Sequence, residues 1–127
     1  MSRMRRSLTA FAVGAALGAG ALAVTPAAAA APRDCPDRAL CAYWLKDYKS
    51  TPAHPRQKVF ENNRDLSRYA NFNHSAGGSL FNNGRRCHVK VYKEKNYRGR
   101  GWQLNRGTGW REIGAWNLPH IWSNKWC

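Results

Sequence analysis

A tyrosine spacing that occurs twice constrains this chain more than any other feature. Tyr43-x4-Tyr48-x-Ser50 recurs as Tyr92-x4-Tyr97-x-Gly99. A glycine such as Gly99 takes a tight-turn conformation that a Cβ would obstruct, which suits aromatics lying near a β-hairpin. Each copy follows a cysteine, Cys41 or Cys87. The duplication extends further. Val59-Phe60-Glu61-Asn62 parallels Trp102-Gln103-Leu104-Asn105, and Phe72-Asn73 parallels Trp116-Asn117. The copies are offset by 49 residues at the tyrosines and by 42 between Phe60 and Trp102. The first copy is therefore expected to carry about seven extra residues, placed in Thr51 to Gln57. Pro52 and Pro55 mark that stretch as a loop.

The first thirty-odd residues stand outside the duplication. Arg3, Arg5 and Arg6 precede an apolar stretch from Leu8 to Val24, and Ala27 to Ala31 offers small residues for cleavage. This predicts a signal peptide over residues 1–31 and a mature domain over 32–127. The stretch is short and glycine-broken for a membrane span. The flanks of Arg5-Arg6 match the twin-arginine export motif poorly, which leaves the export route open. Losing three arginines leaves 18 Lys+Arg against 7 Asp+Glu, a formal charge of +11 on 96 residues.

A domain this small buries a modest fraction of its surface and gains from staples. All four cysteines, Cys35, Cys41, Cys87 and Cys127, lie in the mature part. In an exported chain an even count predicts two disulfides. Four cysteines allow three pairings; the preferred one is Cys35–Cys41 across Pro36-Asp37-Arg38 and Cys87–Cys127, which pins the terminus. Loop entropy gives about 2.4 kcal/mol for the short loop and about 4 kcal/mol for the long one.

The expected fold is all-β. Strand-like runs are Leu40 to Leu45, Gln57 to Glu61, His88 to Tyr92 and Gly101 to Leu104, separated by clusters such as Asn82-Asn83-Gly84. Val89 and Val91 alternate with Lys90 and Tyr92. A helix is predicted around Asn63 to Tyr69, capped by Asn62 or Asn63. The two halves, about 35–84 and 87–127, should pack face to face as one sandwich, because neither alone can bury its aromatics.

These residues together resemble a known group. The tyrosine repeat resembles the βγ-crystallin Greek key signature. Cys35-Pro-Asp-Arg-Ala-Leu-Cys41-Ala-Tyr43, Phe72-Asn73, Phe81-Asn82-Asn83-Gly84, Val91-Tyr92, Asn96-Tyr97-Arg98-Gly99 and Ser123-Asn124-Lys125-Trp126 resemble secreted actinobacterial proteins. These are the peptidase-inhibitor family typified by the streptomycete metalloproteinase inhibitor. The resemblance covers nearly all of the mature chain. It implies a disulfide-stapled βγ-crystallin-like sandwich of two Greek keys and an extracellular peptidase as partner.

Chemistry that would make the chain an enzyme is missing from its residues. There is no His-Glu-x-x-His, Cys-x-x-Cys or Gly-x-Ser-x-Gly, and His54, His74, His88 and His120 lack close pairing and read as solvated surface residues. Glu61 and Asp65 are four apart, with nothing to mark them as a buried acid–base pair. No cofactor is expected. Calcium, common in βγ-crystallin domains, wants six to eight oxygens. The matching stretches, Asn73 to Ser79 and Asn117 to Ser123, carry His74 and Leu118 where the usual site has Asp.

Binding is therefore the expected activity, by a monomer acting outside the cell. As an inhibitor, the chain would present the inserted loop, Thr51, Pro52, Ala53, His54, Pro55 and Arg56, to a peptidase cleft, with Gly107 to Arg111 as the second candidate loop. The alternative is a basic toxin-like or envelope-binding module, since killer-toxin-like proteins share the fold. Lys93, Lys95, Arg98, Arg100, Trp110 and Arg111 would then meet a wall polymer, nucleic acid or anionic membrane. A purely structural secreted domain is the third reading. Most of the six tryptophans are expected in the core, with Trp110 as an exposed anchor after Gly107-Thr108-Gly109.

Overall fold

The computed structural model describes residues 30–73, 77–113 and 120–127. The proposed signal segment, residues 1–31, lies almost wholly outside them, as do His74 and Trp116 to Leu118. Among the described residues seven strands follow one another: β1 (Leu40–Tyr43), β2 (Gln57–Val59), β3 (Ser79–Asn82), β4 (Val89–Glu94), β5 (Arg98–Leu104), β6 (Thr108–Trp110) and β7 (Ser123–Trp126). They form two antiparallel sheets, ordered β2-β1-β3-β6 and β5-β4-β7. β6, from the second key, sits at the edge of the first sheet. Asn63, from the first key, bridges Asn124 of β7 at the edge of the second. Each key thus lends its third segment to the other's sheet, and the interlock makes one all-β sandwich.

The core follows from period-two alternation. Leu40, Ala42, Leu80, Val89, Val91 and Leu104 point inward with Val59, Leu66, Phe72, Ile113 and Ile121. A smaller cluster forms on the far side of the first sheet, where Cys41, Tyr43 and Phe81 pack under Cys35 and Ala39. Disulfides join Cys35 to Cys41, inside that cover, and Cys87 to Cys127.

Both hairpins make the same turn. Asp47 and Tyr48 have φ of 58° and 60°; Asn96 and Tyr97 have 60° and 61°. Asp and Asn tolerate this left-handed region better than most residues. A buried serine holds each turn. The Ser79 hydroxyl donates to Leu45 O (2.7 Å) and accepts from Tyr48 N (2.9 Å). Ser123 does the same with Glu94 O (2.6 Å) and Tyr97 N (3.0 Å). Gly99, with φ 72°, meets the glycine requirement read from the second tyrosine motif. A Cβ there would stand 2.7 Å from the Glu94 carboxylate.

Three expectations need correction. Asn63 to Tyr69 is not helical: Asn63 exchanges both backbone hydrogen bonds with Asn124, and Asp65 Oδ1 accepts from Ser67 N (2.8 Å) to make a turn. The register equates Val59, opposite Leu40, with Leu104, opposite Val89. The offset there is 45 residues against 49 at the tyrosines, so the first hairpin is longer by four residues, not seven. Phe60 lies beyond the strand and is 49% exposed, whereas Trp102 packs on the core. Finally, no described tryptophan is fully buried; Trp102, Trp110 and Trp126 lie half-buried against the core's margin.

Candidate functional site

The inserted loop, Thr51 to Arg56, is tied down along its length. Thr51 and His54 exchange backbone hydrogen bonds (3.3 and 3.1 Å), and the Thr51 hydroxyl accepts from His54 N (3.0 Å). The His54 imidazole stacks on Trp44 with centroids 3.7 Å apart and planes 6° from parallel. Asn71, itself buried, donates through Nδ2 to Pro55 O (2.8 Å) and Ala42 O (3.0 Å). Its backbone N–H goes to Gln57 Oε1 (2.8 Å). Arg56 reaches back to Asp34 (3.9 Å), which accepts from the Tyr43 hydroxyl (2.8 Å). Pro52, Ala53 and Pro55 remain exposed. A short segment fixed at both ends and in the middle, with its tip in solvent, loses little freedom on binding.

Burial, the Asp34 hydrogen bond and the Asp34 charge push the Tyr43 hydroxyl far above its ordinary range. Burial also raises Tyr48, partly opposed by Arg111. Hydrogen bonds from Ser67 hold the Asp65 carboxyl below the usual carboxylate range. None of these shifts makes a proton-transfer pair.

The second candidate loop is not a loop. Thr108–Trp110 is strand β6, with Trp110 opposite Leu80 and Gly109 opposite Phe81. A Cβ on Gly109 would stand within 2.7 Å of Leu80 O, so the glycine permits close strand approach. Trp110 is half-buried rather than an exposed anchor, and Arg111 pairs with Asp47 (3.3 Å). The basic group therefore divides. Lys93, Lys95, Arg98 and Arg100 are exposed together on the β4–β5 hairpin, with Lys95 paired to Asp65 (3.5 Å). Trp110 and Arg111 belong to the other sheet's edge.

The described histidines are not solvated bystanders. Besides the His54 stack, His88 Nδ1 accepts from Arg106 N (3.1 Å), and His120 Nδ1 lies 2.6 Å from Asn73 O. Among the described residues no three His, Cys, Asp or Glu side chains gather as metal ligands. Both calcium-type stretches fall partly outside the described residues, and the hydroxyls of Ser79 and Ser123 are already engaged in the turns. A cleft of about 850 Å³ opens between the keys, lined by Arg38, Phe60, Arg85, Arg86 and Trp126.

A family model described as peptidase inhibitor family I36 matches residues 28–104. The chain belongs to peptidase inhibitor family I36. The matched span contains the stapled N-terminal cover, the whole first key with its loop, and the β4–β5 hairpin; β6 and β7 lie beyond it. Membership supports an inhibitor's role and a peptidase as partner. No curated protein sequence matches this I36 chain significantly. Among solved structures it is similar to IPSE alpha-1, described as an IgE-binding crystallin, with a TM-score of 0.60 and 19% identity over 76% of this chain and 88% of that one. A second structure, IPSE/alpha-1 from Schistosoma mansoni eggs, matches with a TM-score of 0.55 and 20% identity over 72% and 86% of the two chains. At such identity the likeness shows the fold, which is crystallin-like.

Reading the sequence missed the residues that fix the I36 loop, Asn71 and the Trp44–His54 stack. It placed Lys90 in a basic segment running from Lys90 to Arg100, but missed Arg64 and Lys125, which lie with Lys90 over the tyrosines of the second sheet's outer face. A strict alignment of the repeat would have flagged the lysines, since Lys90 falls at the position of Cys41 and Lys125 at that of Phe81.

Proposed function

We propose that this protein is a secreted, monomeric, non-catalytic inhibitor that places its Thr51–Arg56 loop in the cleft of an extracellular peptidase, with metallopeptidases the first class to test. The observation that carries the reading is the anchoring of that loop. A peptidase binds extended backbone and cuts it when the chain can yield. Here the exposed Pro52-Ala53 tip is flanked by the Thr51–His54 turn, and its downstream end is held by Asn71 and the Trp44–His54 stack. A cut inside the loop would leave both new ends held in place, so religation or slow release competes with hydrolysis. The two prolines restrict the backbone before binding, which lowers the entropic cost of association.

The test is a panel of metallo- and serine peptidases incubated with oxidised protein, using the parent and a Pro52→Gly/Pro55→Gly variant. The parent is expected to inhibit a metallopeptidase. Loosening two backbone positions, at about 0.4–1 kcal/mol each, weakens inhibition by about tenfold. Melting temperature should fall by about 4–12 °C, so inhibition is compared at a temperature where both proteins are folded. Absence of inhibition across the panel would remove the functional reading. Full inhibition by the variant would move the reactive segment elsewhere.

A further inference from the structure

The two keys are built alike but finished differently on their outer faces. In the first sheet Cys41 lies opposite Phe81, and in the second Lys90 lies opposite Lys125. These pairs occupy equivalent positions, as do Tyr43–Tyr48 and Tyr92–Tyr97, whose ring centroids are 5.8 Å apart in both keys. In the first key the N-terminal segment, stapled through Cys35, covers this face and buries Cys41, Tyr43 and Phe81. In the second, lysine stands where the stapling cysteine would be, and Lys90 and Lys125 are exposed.

What remains is a cationic face. Lys90 Nζ lies over Tyr92 (5.7 Å), while Lys125 Nζ and the Arg64 guanidinium both lie over Tyr97 (5.3 and 5.0 Å). Gly101, opposite Tyr92, leaves the room this needs: a Cβ would stand 2.8 Å from Lys90 Cε and 3.0 Å from Tyr92 Cε1. The four ion pairs among the described residues use Asp34, Asp37, Asp47 and Asp65, and none involves Arg64, Lys90 or Lys125. Like charges directly across two strands are destabilising, and none of those four ion pairs offsets them here. A bound anion would.

We propose that this outer face of the second sheet binds a linear anionic polysaccharide, independently of the inhibitory loop. Three features select that occupant. The cations are spread over neighbouring strands, which suits charges repeated along a chain. Both tyrosines are half-buried and already carry cations over their rings, so they offer no free platform for stacking nucleic-acid bases. The exposed large hydrophobics among the described residues, Leu45 and Phe60, belong to the first key, so none of them stands on this face to insert into a lipid surface. Lys93, Lys95, Arg98 and Arg100 at the hairpin extend the same field.

The experiment is calorimetric titration of the oxidised, full-length mature protein with a heparin dodecasaccharide at two salt concentrations. Lys90→Gln/Lys125→Gln is compared with Lys46→Gln/Lys49→Gln, which removes the same charge from the first key. The first variant should lose about tenfold or more in affinity and show a shallower salt dependence, and the second should lose less than about threefold. Lys90→Arg/Lys125→Arg should retain affinity. Melting curves should show both glutamine variants folded. Equal losses in the two glutamine variants would reduce the effect to net charge and overturn the site. Tighter binding of a dodecamer of deoxythymidine than of the dodecasaccharide would overturn the ligand class.

Discussion

Asn71→Ala is the perturbation that bears most directly on the inhibitory reading. The Asn71 amide donates to Pro55 O at 2.8 Å and to Ala42 O at 3.0 Å, and so fastens the inserted loop to β1 from a buried position. Each such bond contributes about 1 kcal/mol net, and truncation also leaves a polar hole in a close-packed site. Together these give a loss of about 2–4 kcal/mol, from a domain whose total stability is of order 5–15 kcal/mol. For a domain of this size that lowers Tm by about 10–25 °C. The loop, freed at Pro55, must then be ordered on binding. At about 0.5–1.5 kcal/mol for each newly mobile side chain, the inhibition constant should rise by about tenfold or more at a temperature where the variant is folded. Differential scanning calorimetry and a titration against the target peptidase measure the two effects on one sample. A Tm drop under 3 °C would refute the anchoring role. A large Tm drop with an unchanged inhibition constant would refute the link between loop order and inhibition.

Two further outcomes follow from the structure. Ser79→Ala and Ser123→Ala each strand a backbone donor and acceptor at a hairpin turn, so each should cost about 2–3 kcal/mol in urea unfolding; a marked inequality would contradict the equivalence of the two keys. Tyr43 is held neutral in the folded state, so the unfolded chain loses its phenolic proton first as pH rises past about 10, and stability should then fall by about 1.4 kcal/mol per pH unit. Absorbance at 295 nm should show Tyr43 ionising only with alkaline unfolding, and its ionisation while the protein is still folded would count against its burial.

The parts of the fold legible in the sequence are those carried by local pattern. The alternation of Val89 and Val91 with Lys90 and Tyr92 set β4 and its inward face, and the tyrosine repeat set two hairpins. Strands β3, β6 and β7 carried no such signal. Ser79, Asn82, Ser123 and Asn124 are buried polar residues held by hydrogen bonds to backbone far away in the sequence. Composition alone reads them as turn formers. Phe60 misled the alignment for the opposite reason: an aromatic suggests a core position, but the strand ends before it and leaves it in solvent. The inserted loop was visible through its prolines, while its anchor at Asn71 was not, because that contact joins residues far apart in the chain.

The same distinction explains why the basic residues were grouped along the chain rather than across the sheet. A run from Lys90 to Arg100 looks like one patch when read in order. In a strand, neighbours in sequence face opposite ways, and the true neighbour of Lys90 is Lys125, 35 residues on. Duplication then adds an argument that composition lacks. Two keys that make the same turn with the same serine are under the same demand to cover their outer aromatics. The first meets it with a stapled segment. The second leaves its tyrosines half-buried beneath unpaired cations. A face that costs stability in the free protein, in a fold that has already solved the problem once, is accounted for by a partner that completes it.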